Sequence, residues 1–296
     1  MPTENEQRDD EQEIRGLVER WAAAVRRGDL DGVLTHHRDD IVMFDVPPPF
    51  EGVRGLDAYR ATWPPFFDWL ADGAAFEIES LDVTTGADVA FAHALLRCGT
   101  ARDFAEQPAL RLRLTLGLRR TDGQWEVAHE HHSFPDTSVA PSIVADAGSG
   151  TVAPAEAAAV AGSAPPGAAE REVRAIHQRW AEETAAKDLD GLMAHVAEDV
   201  VSYEHAGPLG YRGIEEVREI CRNGLAASPG PVAWDIPDLT VRVGGDLAVA
   251  WGLEHIRSTG ADGSTAETWS RGTRVFERRD GGWAMVHQHL SFPLPS

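Results

Sequence analysis

The chain has 296 residues, 43% of them apolar, which allows about two domains with ordinary cores. Its 48 acidic against 27 basic residues give a formal charge of −21, which argues against nucleic acid or an anionic membrane as the main partner. No uninterrupted apolar run is long enough for a transmembrane helix, residues 1–13 hold no signal-peptide core, and two unmatched cysteines, Cys98 and Cys221, suit a reducing cytoplasm.

Residues 1–12 read as a disordered acidic tail. Ile14, Leu17, Val18, Trp21 and Val25 then fall on one face of a first helix, which ends at Gly28; a second short helix starts at Leu30. A strand over 40–45 follows, then Pro47-Pro48-Pro49 and a third helix from Leu56 to Leu70. Three more strands are predicted over 76–83, 89–98 and 110–119. The last strand begins after the turn Asp122-Gly123 with Trp125, and closes on His129-Glu130-His131-His132-Ser133-Phe134-Pro135. Asp-Gly supplies the positive φ of a tight hairpin, so this motif ends a domain spanning 13–136.

Residues 137–169, rich in Ala, Gly, Pro and Ser, read as a flexible linker. The whole pattern then returns over 170–296: a helical face through Val173, Ile176 and Trp180; a strand over 199–204; a helix from Ile214 to Leu225. Strands follow over 234–243, 247–257 and 268–278, then Asp280-Gly281, Trp283 and His287-Gln288-His289-Leu290-Ser291-Phe292-Pro293. The protein is a tandem duplication. Each half places helices on one face of a curled antiparallel sheet, an α+β cone.

Several stretches carry a family resemblance. The turn Gly28-Asp29-Leu30-Asp31-Gly32, the strand Asp39-Asp40 to Asp45 and the closing His-x-His-x-Ser resemble the SnoaL-like, ketosteroid-isomerase-like superfamily, whose fold is the nuclear-transport-factor cone. Met43 to Pro49 and Val89 to His93 make domain one most similar to ketosteroid isomerase homologues. Thr273 to His289 is similar to the association domain of calmodulin-dependent kinase. The superfold hosts many chemistries, so the resemblance bears on fold more than on reaction.

The resemblance implies a general base at Asp45, and Glu204 takes its place in domain two. It would turn Phe91, His93, Leu95 and Arg97 into the cone, leaving Ala90, Ala92, Ala94 and Leu96 outside. Arg111, Arg113 and Thr115 would then line the pocket, while Leu110, Leu112, Leu114 and Leu116 pack on a partner sheet; the opposite arrangement, leucines on the helices, is the alternative. The isomerase pattern turns Glu130 and His132 inward, whereas a likeness to carbonic anhydrases of this fold would turn His131 and Ser133 inward; a bulge could reconcile the two. Trp21 and Thr115, with Trp180 and Thr273 in the second copy, stand where the isomerase keeps its oxyanion donors, and Tyr59 and Trp63 add to the lining. Where domain one has His93 and Arg97, domain two has Trp251 and His255; Arg271 matches Arg113, and this second pocket reads as poorer in ionisable groups.

A site of this kind suits cofactor-free acid–base chemistry on a small carbonyl- or carboxyl-bearing metabolite in domain one, by isomerisation, cyclisation or epoxide opening, with Asp45, His93, Glu130 and His132 as the catalytic set. A non-catalytic ligand-binding or assembly module is one alternative, and hydration by the His-x-Ser motif another. Histidines 36, 37, 93, 129, 131 and 132 could supply metal ligands, but neither Cys pairs nor a helical His-Glu-x-x-His spacing supports a metal. No Gly-rich nucleotide loop points to a cofactor. The expected partners are a small molecule and, within the chain, the other domain, as a pseudo-dimer.

Overall fold

A computed structural model describes residues 3–136, 167–260 and 263–292. The chain divides into two compact units between Phe134 and Pro135. Domain one runs α1 (Glu4–Arg27), α2 (Leu30–Leu34), β1 (His37–Phe44), β2 (Val53–Arg54), α3 (Leu56–Ala71), β3 (Ala75–Thr85), β4 (Val89–Gly99), α4 (Ala101–Glu106), β5 (Leu112–Thr121) and β6 (Gln124–Ser133). Domain two runs α5 (Ala168–Ala186), α6 (Leu189–Met193), β7 (Val196–Tyr203), β8 (Tyr211–Arg212), α7 (Ile214–Ala227), β9 (Val232–Asp235), β10 (Thr240–Gly244), β11 (Leu247–Thr259), β12 (Thr265–Arg279) and β13 (Gly282–Ser291). The α+β class and the tandem repeat are as expected. No helix among the described residues is long and apolar enough to cross a membrane.

The expected acidic tail is helical instead. Thr3 accepts from the Glu6 backbone N–H and the Glu6 carboxylate reaches back to Thr3, a capping box that starts α1 at Glu4. Buried Asp10 then pairs with Arg120 of β5, so these residues belong to the domain. Most of the predicted linker lies outside the described residues, and α5 already begins at Ala168. The strand predicted over 234–243 is broken into β9 and β10. Pro237 cannot donate to the ladder, and the Asp238 carboxylate accepts the Leu253 N–H in place of a strand partner.

In domain one the sheet order is β2-β1-β6-β5-β4-β3, with only β1 and β6 parallel among these pairs. Domain two repeats it as β8-β7-β13-β12-β11-β10, with β9 added along β11. Both hairpins turn on the expected positive φ angles, 51° and 83° at Asp122-Gly123 and again at Asp280-Gly281.

The predicted strand faces are reversed. Ala90, Ala92, Ala94, Leu96 and Cys98 of β4, and Leu112, Leu114, Leu116 and Leu118 of β5, form one core with Ile14, Leu17, Val18 and Trp21 of α1. The leucines therefore pack on the helices, and Phe91, His93, Leu95, Arg97, Arg113 and Thr115 point to the other side of the sheet. Both sides are nearly all buried in these strands, so alternation alone gave no sign of which is the interior.

The last strand needed the bulge. Gly117 pairs with His129 and Leu118 with Val127, leaving Ala128 as an extra residue in β6. Trp125 and Val127 before the bulge belong to the helix-side core. After it the inward positions become Glu130 and His132. In domain two Val286 is the extra residue, since Val275 pairs with His287 and Phe276 with Met285. Gln288 and Leu290 then turn inward. His131 and Ser133 face the opposite way, to the side of the sheet away from the helices.

Candidate functional site

Domain one holds a cavity of about 350 Å³ beneath the sheet, within the usual range for small-molecule sites. Its wall is largely apolar, with Met43, Val46, Trp63, Phe66, Trp69, Phe76, Leu112 and Phe134. Asp45 and His132 are the ionisable groups on it besides the Cys98 thiol. Asp45 stands just past β1, where the strand has carried Met43 inward and the chain turns into Pro47; its carboxylate also accepts from the Val46 N–H.

His132 is gripped at both ends. Its Nδ1 lies 3.4 Å from Asp45 Oδ1 and its Nε2 lies 3.2 Å from Glu130 Oε2, the latter a charge contact off the hydrogen-bonding direction. Glu130 is fully buried and accepts on Oε1 from His37 Nε2 at 2.8 Å and from the Tyr59 hydroxyl at 3.0 Å. Tyr59 in turn accepts from Trp21 Nε1 at 3.3 Å. The result is a continuous polar chain from the core to the cavity: Trp21, Tyr59, Glu130, His132, Asp45, with His37 joining at Glu130.

This chain decides the charges. Burial raises the Glu130 carboxyl, but the close charge contact with His132 and the hydrogen bond from His37 outweigh it and bring the pKa down to about 2. Burial likewise works against a charged His132, yet Asp45 and Glu130 together lift it to about 9. His132 is thus an imidazolium at neutral pH. Burial, helped by the charge of Glu130, pushes Tyr59 well above the ordinary phenol range, so it stays a neutral donor. Burial also raises the Cys98 thiol to about 12.

Of the predicted residues, Asp45, Glu130, His132, Trp21, Tyr59 and Trp63 come together. The others do not. His93 stacks on Phe91 at 6.1 Å and approaches Asp82 on the outer face. Arg97 lies over Phe104 at 4.1 Å, Arg111 pairs with Glu79, and Arg113 donates to Ser133 Oγ at 2.9 Å. Thr115 and His131 share that face. The cationic lining expected for an acidic ligand is therefore absent from this cavity. His37 was missed as a partner of Glu130; the signal available was its place at the mouth of β1, opposite Val127.

Domain two has its own cavity, of about 180 Å³. Glu204 lines it from the position equivalent to Asp45, accepting from Ser202 Oγ at 2.5 Å and Gln288 Nε2 at 2.9 Å. Burial raises its pKa above the ordinary carboxylate range. Trp251, His255, Arg271 and Thr273 lie on the outer face, His255 stacked on Trp269 at 4.0 Å. The expectation of a pocket poor in ionisable groups is nonetheless wrong. Arg274 and Glu254, both buried, line the cavity with Nη1 and Oε1 2.5 Å apart, and Arg274 Nε donates to Gln288 Oε1 at 3.0 Å. Cys221 lines it too, its thiol raised by burial to about 12.

Comparison with known proteins agrees with the repeat. The SnoaL-like domain model matches residues 14–137 and again 173–295. No curated protein matches significantly. Among solved structures, an NTF2-like protein of unknown function from Pseudomonas putida KT2440 is 28% identical, over 43% of this chain and 89% of its own, at a TM-score of 0.40. A Streptomyces avermitilis protein, named a candidate dehydratase of the NTF2-like family, is 22% identical over 42% and 97%, at 0.39. The association domain of Caenorhabditis elegans CaMKII, 19% identical over 42% and 95%, scores 0.36. Each spans one cone, and the family match covers both: the chain belongs to the SnoaL-like family, as two such domains in tandem.

Proposed function

We propose that domain one is a cofactor-free acid–base enzyme acting on a small, mostly apolar carbonyl compound. The observation that carries this reading is the pairing of Asp45 with a charged His132 on the wall of an otherwise apolar cavity. Asp45 is placed to take a proton from carbon beside a carbonyl. The negative charge that develops on the carbonyl oxygen would meet the imidazolium, in a cavity where low polarity strengthens that attraction. Glu130, Tyr59 and His37 act on His132, holding its ring and its charge. A carboxylate-bearing substrate is disfavoured, because the arginines that would bind it face the other side of the sheet. Isomerisation and cyclisation through an enolate begin with this proton transfer; in an epoxide opening Asp45 would instead take the proton of the attacking water. The two free thiols support a reducing, cytoplasmic setting.

The test is proton exchange. The purified chain is incubated in D₂O with a panel of alicyclic and aryl ketones, and loss of the α-hydrogen signal is followed by NMR. Asp45→Asn keeps the shape and is expected to slow exchange by about a hundredfold or more. Exchange no faster than in buffer for every ketone, or unchanged in Asp45→Asn, would overturn the reading in favour of a binding module.

A further inference from the structure

The two cones have exchanged polar for apolar residues at matching positions, in opposite senses. The strand registers align Glu130 with Gln288, His132 with Leu290, and His37 with Val196. The chain that charges the first site is thus gone from the second. By the same registers Leu96 aligns with Glu254, Leu116 with Arg274, and Leu114 with Gly272. Loss of function by drift explains the first set but not the second. Burying a carboxylate and a guanidinium where leucines pack well costs desolvation, and such a pair is often no more stable than the apolar residues it replaces.

The surroundings of the pair are built for it. A Cβ on Gly272 would overlap Glu254 Oε1 and come within 3.1 Å of Arg274 Nη1, so glycine leaves the room that both occupy. The Arg274 guanidinium lies 5.7 Å from the Trp180 ring and 5.2 Å from the Trp234 ring, which also line the cavity. Its hydrogen bonding runs through Nε to Gln288; among the described residues Nη2 has no hydrogen-bond partner. Glu254 Oε1, 2% exposed as a residue, has only the charge contact with Arg274 and no aligned hydrogen bond. The guanidinium therefore lines an apolar cavity with Nη2 still able to donate, Glu254 paired beside it and Glu204 on the same wall.

Charge and size select the ligand. Arg274 and Glu254 cancel, and burial raises Glu204 toward its neutral acid, so the cavity carries little net charge and an added ion would have to be desolvated without a free counter-charge. A neutral molecule avoids that cost. A cavity of about 150 Å³ holds benzene, and this one is about 180 Å³, room for a single ring with a small substituent. We propose that the cone of domain two is a second, separate binding site for a neutral one-ring compound bearing a carbonyl, the ring between Trp180 and Trp234 and the oxygen on Arg274. The proposal stands whether or not domain one is an enzyme.

Acetophenone, toluene and benzoate serve as probes of equal ring size, titrated calorimetrically into the full chain. The Cys98→Trp variant fills the cavity of domain one and isolates the second site. Acetophenone is expected to bind it at least tenfold more tightly than either toluene or benzoate. The pair Arg274→Met with Glu254→Gln, which keeps the charge balance, is expected to abolish that preference. In the unsubstituted chain the indole N–H resonances of Trp180 and Trp234, assigned by single Phe replacements, are expected to shift with acetophenone. This readout decides the matter even if a cavity variant folds poorly. Unmoved resonances, tighter binding of benzoate, or equal binding of toluene would each overturn the proposal.

Discussion

His132 is the residue on which the first site turns, and its charge has a thermodynamic signature. Its pKa rises from 6.5 to about 9 on folding, so the folded state holds the proton more tightly; the resulting stability is complete below about pH 6.5 and is lost as the pH climbs through about 9. Glu130 acts in the opposite direction, its contribution present above 4.5 and lost as the pH falls toward about 2. His132→Gln should therefore cost more stability at about pH 6 than at about pH 10, measured by denaturant unfolding against the parent chain. An equal cost at both would mean that His132 is neutral in the folded protein. At this scale Asp45 was legible from its place at the end of β1 and from the family likeness, whereas Glu130 and His132 stood against His131 and Ser133, since strand spacing could not choose between the two faces. The arginines were misplaced because β4 and β5 are buried on both faces, and a period of two names two faces without naming the inner one. Glu254 and Arg274 were lost to the same ambiguity.

Among the elements, β6 shows how one residue sets a site. Were Ala128 paired in ordinary alternation, the strand would present Trp125 and Val127 to the core but His129 and His131 to the cavity. The bulge lets one strand serve the apolar core first and the polar chain afterwards. Deleting Ala128 removes the extra residue, and the regular strand that results still turns Val127, Glu130 and His132 to one face. The expected outcome is that domain one keeps its cooperative unfolding by near-ultraviolet circular dichroism; its loss would mean that the local twist of the bulge is itself required to seat the end of β6. The sequence permitted a bulge but offered no way to locate it, because neither Ala128 nor Val286 is a residue that marks one. The start of α1 was different. Thr3-x-x-Glu6 is a legible capping signal, and the surrounding acidic residues masked it by resembling a solvated tail.

On the scale of the molecule, duplication explains why the fold was readable and the sites only partly. Turns, helix caps and the closing motif recur in both halves, so each copy supported the reading of the other. The interiors have diverged, and there one copy misled about the other. What both copies keep on the sheet face away from the helices is Arg-x-Thr beside His-x-His-x-Ser, residues 113, 115, 129, 131 and 133 in one and 271, 273, 287, 289 and 291 in the other, all buried. The leucines of β5 pack on the helices and so give no ground for a pseudo-dimer. Like faces are what a two-fold-related pair of identical domains requires, so we propose that this face lets domain one pair with a second copy of itself. Domain one expressed alone is then expected to self-associate, and a monomer by light scattering would remove the idea.

The chain has two cysteines, and each cone has one of them in its wall, Cys98 in the first and Cys221 in the second. Burial keeps both thiols near pKa 12, so at neutral pH they are protonated and slow toward alkylating agents. Slow labelling of each then reports how often its own cavity opens, and peptide mass mapping separates the two. The protein carries a pair of independent clocks, one per cone, and a molecule that fills only one cavity will stop only one of them.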